Sequence, residues 1–155
     1  MRASSSFAVR KASDTGLAGC QRAGGVTGSQ HLAHGRAHAW LAQNLGTGWA
    51  SCPLTENGCL RVLTNPRYAA PVPALDVLAE LATAKTGGHH ESWADDLTIT
   101  DAQVFDRTKW RGHQQVTDTY LLALAVKHSG RLVTFDTGIA LDTVRGAMPH
   151  HLLVL

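Results

Sequence analysis

Three acidic residues, Glu56, Asp118 and Asp136, stand where helices should begin or strands should end. Carboxylates gathered in one place repel one another, and without a cation at least one is driven toward its neutral form. A divalent metal removes that conflict. Mg²⁺ prefers hard oxygen ligands and takes one or two carboxylates together with waters and phosphate oxygens. Such a cluster suits phosphodiester hydrolysis, in which the metal activates a water and neutralises charge building on the phosphate. Neither a lysine-containing phosphate loop nor a glycine-rich nucleotide fingerprint competes with it in the sequence. Singly, each acid also has a structural role open to it: Asp118 as a helix cap or first-turn acid, Asp136 as a turn residue, Glu56 as a complement to a helix dipole.

The elements that must position these acids are legible nearby. Residues 120–126 are apolar almost without a break, with Leu121, Leu124 and Ala125 at helical spacing, so a helix buried on most of its surface is expected after Asp118. Lys127 and His128 suit its negative end, and Gly130 is placed to close it in a left-handed conformation. Residues 131–135 are β-prone, and Asp136-Thr137-Gly138 is a turn signal that puts Asp136 at the strand's C-terminal end. Gly48-Trp49-Ala50 reads as another strand, Ser51-Cys52-Pro53 as a helix start and Asn65-Pro66 as its stop, with Glu56 in or near the first turn. In an open parallel α/β sheet, ligands bind at the edge made by strand C-termini and helix N-termini, and all three acids map there.

Elsewhere, His34, Ala37, Leu41 and Leu45 mark one face of a helix ending near Gly46. His31, His34 and His38 have metal-like spacing there but lack an accompanying acid or cysteine, which favours a surface role. Residues 71–84 form a further expected helix, with Val72, Leu75, Leu78, Ala79 and Leu81 or Ala82 as its buried face. Leu97-Thr98-Ile99 is the expected third strand, with Asp95 and Asp96 ahead of it and hence at the opposite sheet edge from Asp136. A short helix from Thr100 or Asp101 to Phe105, a polar loop through Trp110, a short helix over 139–144 and a final strand over 151–155 complete the chain. Arg107, Lys109 and Arg111 beside Trp110 read as a solvated loop that could also contact nucleic acid. Helix and strand alternate, which favours a three-layer α/β fold.

At 155 residues, with 44% hydrophobic and 17% charged residues, the chain is the size of one domain with a real core. A net charge of +2 excludes nucleic-acid binding by charge density alone. Cys20, Cys52 and Cys59 include no CxxC pair, so no disulfide framework or zinc ribbon is indicated and a reducing cytoplasm fits. No apolar run reaches the roughly 18 residues that span a bilayer. Residues 1–30 are rich in Ser, Gly, Ala and Arg, carry Asp14 as their one acid and show no periodicity, so they are expected to be disordered. Order is expected over residues 31–155.

From His34 onward the sequence resembles a PIN-domain ribonuclease, specifically the VapC-type toxin of toxin–antitoxin pairs. RAHAWLAQ (36–43), GWASCPLTENGCLRVLTNP (48–66), GHQQVTDTYLLALAVKHSGRLVTFDTG (112–138) and the terminal HLLVL carry the resemblance in order and spacing. It implies a three-layer α/β/α fold with a mostly parallel sheet. It also implies that Glu56, Asp118 and Asp136 are three of the family's four metal-site acids and that Thr117 is the small hydroxyl residue before the third. The implied cofactor is Mg²⁺ or Mn²⁺, the substrate RNA, and the partners a VapB-like antitoxin and a second copy of the chain, in the bacterial cytoplasm. The family's first strand, which ends in the first catalytic aspartate, is missing or replaced: Ser6-Phe7-Ala8-Val9 and Asp14 are poor substitutes. The abrupt change near His31 is what a shifted frame or mis-assigned start would produce. Loss of one ligand implies weakened nuclease activity, and a catalytically inactive module that dimerises or sequesters an antitoxin is the alternative. A zinc-binding regulator using some of the nine histidines with Cys52 and Cys59 is a third reading.

Overall fold

The computed structural model describes residues 6–9, 44, 48–67, 71–110 and 112–155. The expected helix over 34–45, apart from the helical Asn44, falls outside the described residues, as do His31, His34, His38, Asp14, Cys20 and Arg111.

Among the described residues, five strands make one sheet: β1 (Ser6–Val9), β2 (Trp49–Ser51), β3 (His90–Ser92), β4 (Leu132–Thr134) and β5 (Leu152–Val154), in the order β3-β2-β1-β4-β5. Residues 6–9, inside the segment expected to lack structure, thus occupy the centre of the sheet. β1 is antiparallel to β2 and to β4, whereas β2–β3 and β4–β5 are parallel. The expectation of a mostly parallel sheet is corrected accordingly: half of the pairings are antiparallel, all through one reversed strand. Because β1 opposes both neighbours, the four other strands run in one direction and end at a common edge. Ser6 pairs with Thr134 at that edge, and Val9 pairs with Leu132, the first residue of β4, at the far one and with Ala50 in the middle of β2. β1 therefore exits at the edge opposite the acids.

Among the described residues, three helices are seen whole beside these strands. α1 (Pro53–Leu63) begins with Pro at its first position, where a missing N–H costs nothing, and its start is held by Cys52 N–H donating to Thr55 Oγ1 at 2.9 Å. α2 (Ala74–Lys85) departs from expectation. Val77 is its buried residue, while Leu75 and Leu78 are 79% and 48% exposed, so most of the stripe expected to be buried faces solvent and Val72 alone of it packs on the Cys59, Leu63 and Val77 cluster. α3 (Val116–Lys127) is enclosed nearly all round, with every residue from Asp118 to Ala125 buried. It packs on β1 and β4, and Phe105, Leu121, Leu122, Leu124 and Leu132 form the driest part of the core. Burial on that scale drives folding, since each large apolar side chain contributes about 1.5–3 kcal/mol.

The stop after α3 also differs from expectation. Ser129, at φ 52°, takes the left-handed position assigned to Gly130. Gly130 N–H donates to Ala125 O at 2.6 Å and Ser129 N–H to Val126 O at 3.1 Å, the paired bonds of a Schellman ending. Residues 97–99 are not a strand. β3 lies earlier in the chain, because Trp49, Ala50 and Ser51 pair in register with His90, Glu91 and Ser92. Residues 100–105 make turns ending in an isolated bridge from Phe105 to Val144, and the helix expected over 139–144 is a single 3₁₀ turn, Leu141–Thr143.

Candidate functional site

Asp118 lies in the first turn of α3 and is 1% exposed. Asp136 follows the end of β4 by two residues, and α3 feeds β4, so both acids belong to the same edge. The turn at Asp136 is built from its own atoms. Gly138 N–H donates to Asp136 Oδ1 at 2.7 Å, and Asp136 N–H donates to Thr134 Oγ1 at 3.0 Å. A Cβ at Gly138 would stand 3.0 Å from Asp136 Oδ1, so a side chain there would press on the carboxylate. Gln115, in the 3₁₀ turn His113–Gln115 just ahead of α3, donates from Nε2 to Gly138 O at 2.7 Å. Burial, and then the neighbouring charge of Asp136, push the Asp118 carboxyl up to about 6. The charged form is disfavoured by desolvation and by a like charge, which is the condition a cation relieves.

Glu56 has a different environment. Its Oε1 accepts from Ser51 Oγ at 2.6 Å and pairs with Lys85 Nζ at 2.5 Å, and His90 Nε2 lies 2.9 Å from the same Ser51 hydroxyl. Burial acts to raise the Glu56 acid, but the Lys85 and Ser51 hydrogen bonds and the Lys85 charge outweigh it and hold the carboxyl below its usual range. The His90 ring packs 4.3 Å from Trp49, and burial lowers its basicity. Among the described residues, the structure draws Asp118 and Asp136 together, engages Glu56 with Lys85, and gathers no three His, Cys, Asp or Glu side chains into one metal-sized cluster.

Asp95 is a further correction, whereas Asp96 stays at the end of α3 away from Asp118. Both come after β3, not before a strand at 97–99, and the two part company there. Asp95 Oδ2 accepts from Leu54 N–H at 2.8 Å at the start of α1, and Asp96 pairs with Lys127. Spacing did not point to Lys85, Ser51, His90 or Gln115. A basic residue at the end of a helix is an ordinary dipole complement, and nothing local marks Lys85 as the partner of an acid 29 positions away. The thiols are not a pair: Cys52 sits in the main core, Cys59 in a smaller cluster with Leu63 and Val77, and burial pushes Cys52 up to about 11. A protonated, buried thiol is a poor zinc ligand.

The residues fit a hard divalent cation in part. Asp118 and Asp136 supply two carboxylates whose mutual repulsion the ion would relieve, and Gln115 Oε1 is a buried acceptor with no donor among the described residues, suited to a water of the ion's outer shell.

Comparison with known proteins supplies the family. Ribonuclease VapC44 of Mycobacterium tuberculosis is 46% identical over 125 residues, covering 81% of this chain and 88% of the relative. Ribonuclease VapC38 of the same organism is 39% identical over 127 residues, with the same coverage of each chain. Ribonuclease VapC39 is 37% identical over 112 residues, 71% of this chain and 80% of the relative. No family model matches the chain, and no solved structure is significantly similar to it.

Proposed function

The chain belongs to the VapC family of PIN-domain ribonucleases, and from that premise we propose that it is a metal-dependent endoribonuclease, the toxin of a VapBC-type pair, with activity weakened by the absent first acid. The observation that carries this reading is the pairing of buried Asp118 with Asp136 at the common strand edge. Asp118 and Asp136 would hold Mg²⁺ or Mn²⁺, with Glu56 as the third ligand. When bound, such an ion lowers the pKa of a coordinated water and neutralises charge on a phosphodiester.

The chain's own residues do the positioning. The Asp136 turn fixes Oδ1, α3 fixes Asp118 in a water-poor wall, and Glu56 must exchange Lys85 for the cation before it can contribute. Reversal of β1 accounts for the weakened site. Its described residues carry no carboxylate, and it leaves the sheet at the edge away from Asp118 and Asp136. The proposal extends to a three-layer α/β/α arrangement of residues 31–155 around the central strand β1, an RNA substrate, a VapB-like antitoxin and a homodimer. It also places the protein in the cytoplasm; among the described residues no helix is long and apolar enough to cross a membrane.

The engagement of Glu56 by Lys85 favours a second reading, a catalytically inactive PIN-like module that still dimerises or sequesters an antitoxin. Calorimetric Mn²⁺ titration, with an Asp118→Asn, Asp136→Asn double variant as control, followed by RNA cleavage with Mg²⁺, separates the two. Micromolar binding lost in the variant, with cleavage, supports the nuclease. Antitoxin binding by a folded protein that neither binds Mn²⁺ nor cleaves supports the inactive module.

A further inference from the structure

Two segments far apart in sequence carry the paired acids, and one side chain bridges them. Gln115 precedes α3, which bears Asp118, and its Nε2 donates to Gly138 O at 2.7 Å; Gly138 N–H in turn donates to Asp136 Oδ1 at 2.7 Å. One glycine thus accepts from Gln115 through its carbonyl and donates to Asp136 through its amide. We propose that Gln115 is a positioning residue that clamps the Asp136–Gly138 turn against the start of α3 and so sets the spacing of Asp118 and Asp136 for a divalent cation. The inference rests on the metal-site reading above.

The geometry argues for this in three ways. The bridge spans 23 positions, so no local turn requires it. The turn is crowded where it matters, since a Cβ on Gly138 would lie 3.0 Å from Asp136 Oδ1 and 3.8 Å from Gln115 Nε2. The other end of the same amide, Oε1, is buried without a donor among the described residues, leaving an acceptor beside the acids for a water of the bound ion. A polar side chain that fixes a ligand-bearing turn and offers an acceptor to the outer shell typically changes metal affinity about 10–100-fold when removed.

The test uses the full-length chain, with Gln115→Met and Gly138→Ala as separate variants. Met keeps the length of Gln without its donor, and Ala keeps Gln115 while crowding Asp136 Oδ1. Two readouts are taken: amide hydrogen exchange of residues 136–138 in metal-free buffer, and the dissociation constant for Mn²⁺ from electron paramagnetic resonance of the free ion. The clamp predicts exchange faster by about tenfold in Gln115→Met, with exchange in β4 and the far-ultraviolet spectrum unchanged. It also predicts Mn²⁺ affinity lowered at least about tenfold in each variant. Exchange within twofold of the parent in Gln115→Met overturns the clamp. Mn²⁺ affinity within twofold of the parent in both variants, when the parent binds, overturns its role toward the metal. A parent that binds no Mn²⁺ sinks the metal-site reading and with it the role toward the ion, and exchange then decides whether the clamp itself stands.

Discussion

The two acid-bearing sides of the sheet meet the same electrostatic problem and answer it oppositely. On the β2–α1 side, Glu56 is charged because the fold supplies its counter-ion: Lys85 reaches it, Ser51 donates to it, and its acid is held below the usual range. On the α3–β4 side, burial and Asp136 push Asp118 the other way, to about 6. An acid whose partner is built in contributes to stability. An acid pressed against another acid withdraws stability unless a cation relieves it, which is the electrostatic pattern expected of a binding site and not of an internal salt bridge.

The comparison breaks most completely if the two sides are separated. β1 joins them, with Phe7 paired to Val133 and Val9 to Ala50. Phe7→Pro removes a backbone donor from a central strand and should cost on the order of 3 kcal/mol, read as a lower urea midpoint. Next in size is Asp118→Asn. The folded-state value of Asp118, about 6, lies above its unfolded value, so the unfolded chain loses its proton first and stability falls as pH rises through that interval. In EDTA the Asn variant should therefore be about 1–3 kcal/mol more stable than the parent at pH 7 and equal to it near pH 3, while losing Mn²⁺ binding.

Lys85→Met should move the other side in the opposite sense. Glu56 is depressed in the folded state, so its contribution is present above the unfolded value and disappears as pH falls through the folded one. For this partly exposed pair the loss is about 0.5–1 kcal/mol at pH 7, vanishing in acid, and Mn²⁺ affinity should rise as Glu56 is released. Ser129→Gly, remote from both acids in the chain, should add about 1 kcal/mol equally across pH by relieving the left-handed conformation at φ 52°. A pH-dependent gain there would mean that the stability differences are not local to the acids.

Legibility followed locality. The α1 start at Cys52-Pro53, the burial of α3 and the Asp136-Thr137-Gly138 turn were readable because each depends on residues within about one helical turn of each other. The helix stop was misread by one position, since Ser129 and Gly130 can both fill a Schellman ending and the hydrogen-bond register selects between them. The α2 face was misread because periodicity shows that an apolar stripe exists without showing what covers it. The third strand was misplaced because Leu97-Thr98-Ile99 has the better β propensity, yet His90-Glu91-Ser92 has the neighbour.

By itself, the sequence determined which residues could form each helix and turn, and that carboxylates would stand at helix starts and a strand end. These follow from backbone sterics, side-chain periodicity and capping, all short-range. Tertiary structure decided the rest: the direction of β1, the shared edge that brings Asp95 to α1, the capture of Glu56 by Lys85, and the bridge from Gln115 to Gly138. The physical reason is that strand direction and charge pairing are chosen by partners tens of residues away, and Coulomb energies change with burial that only the assembled core creates.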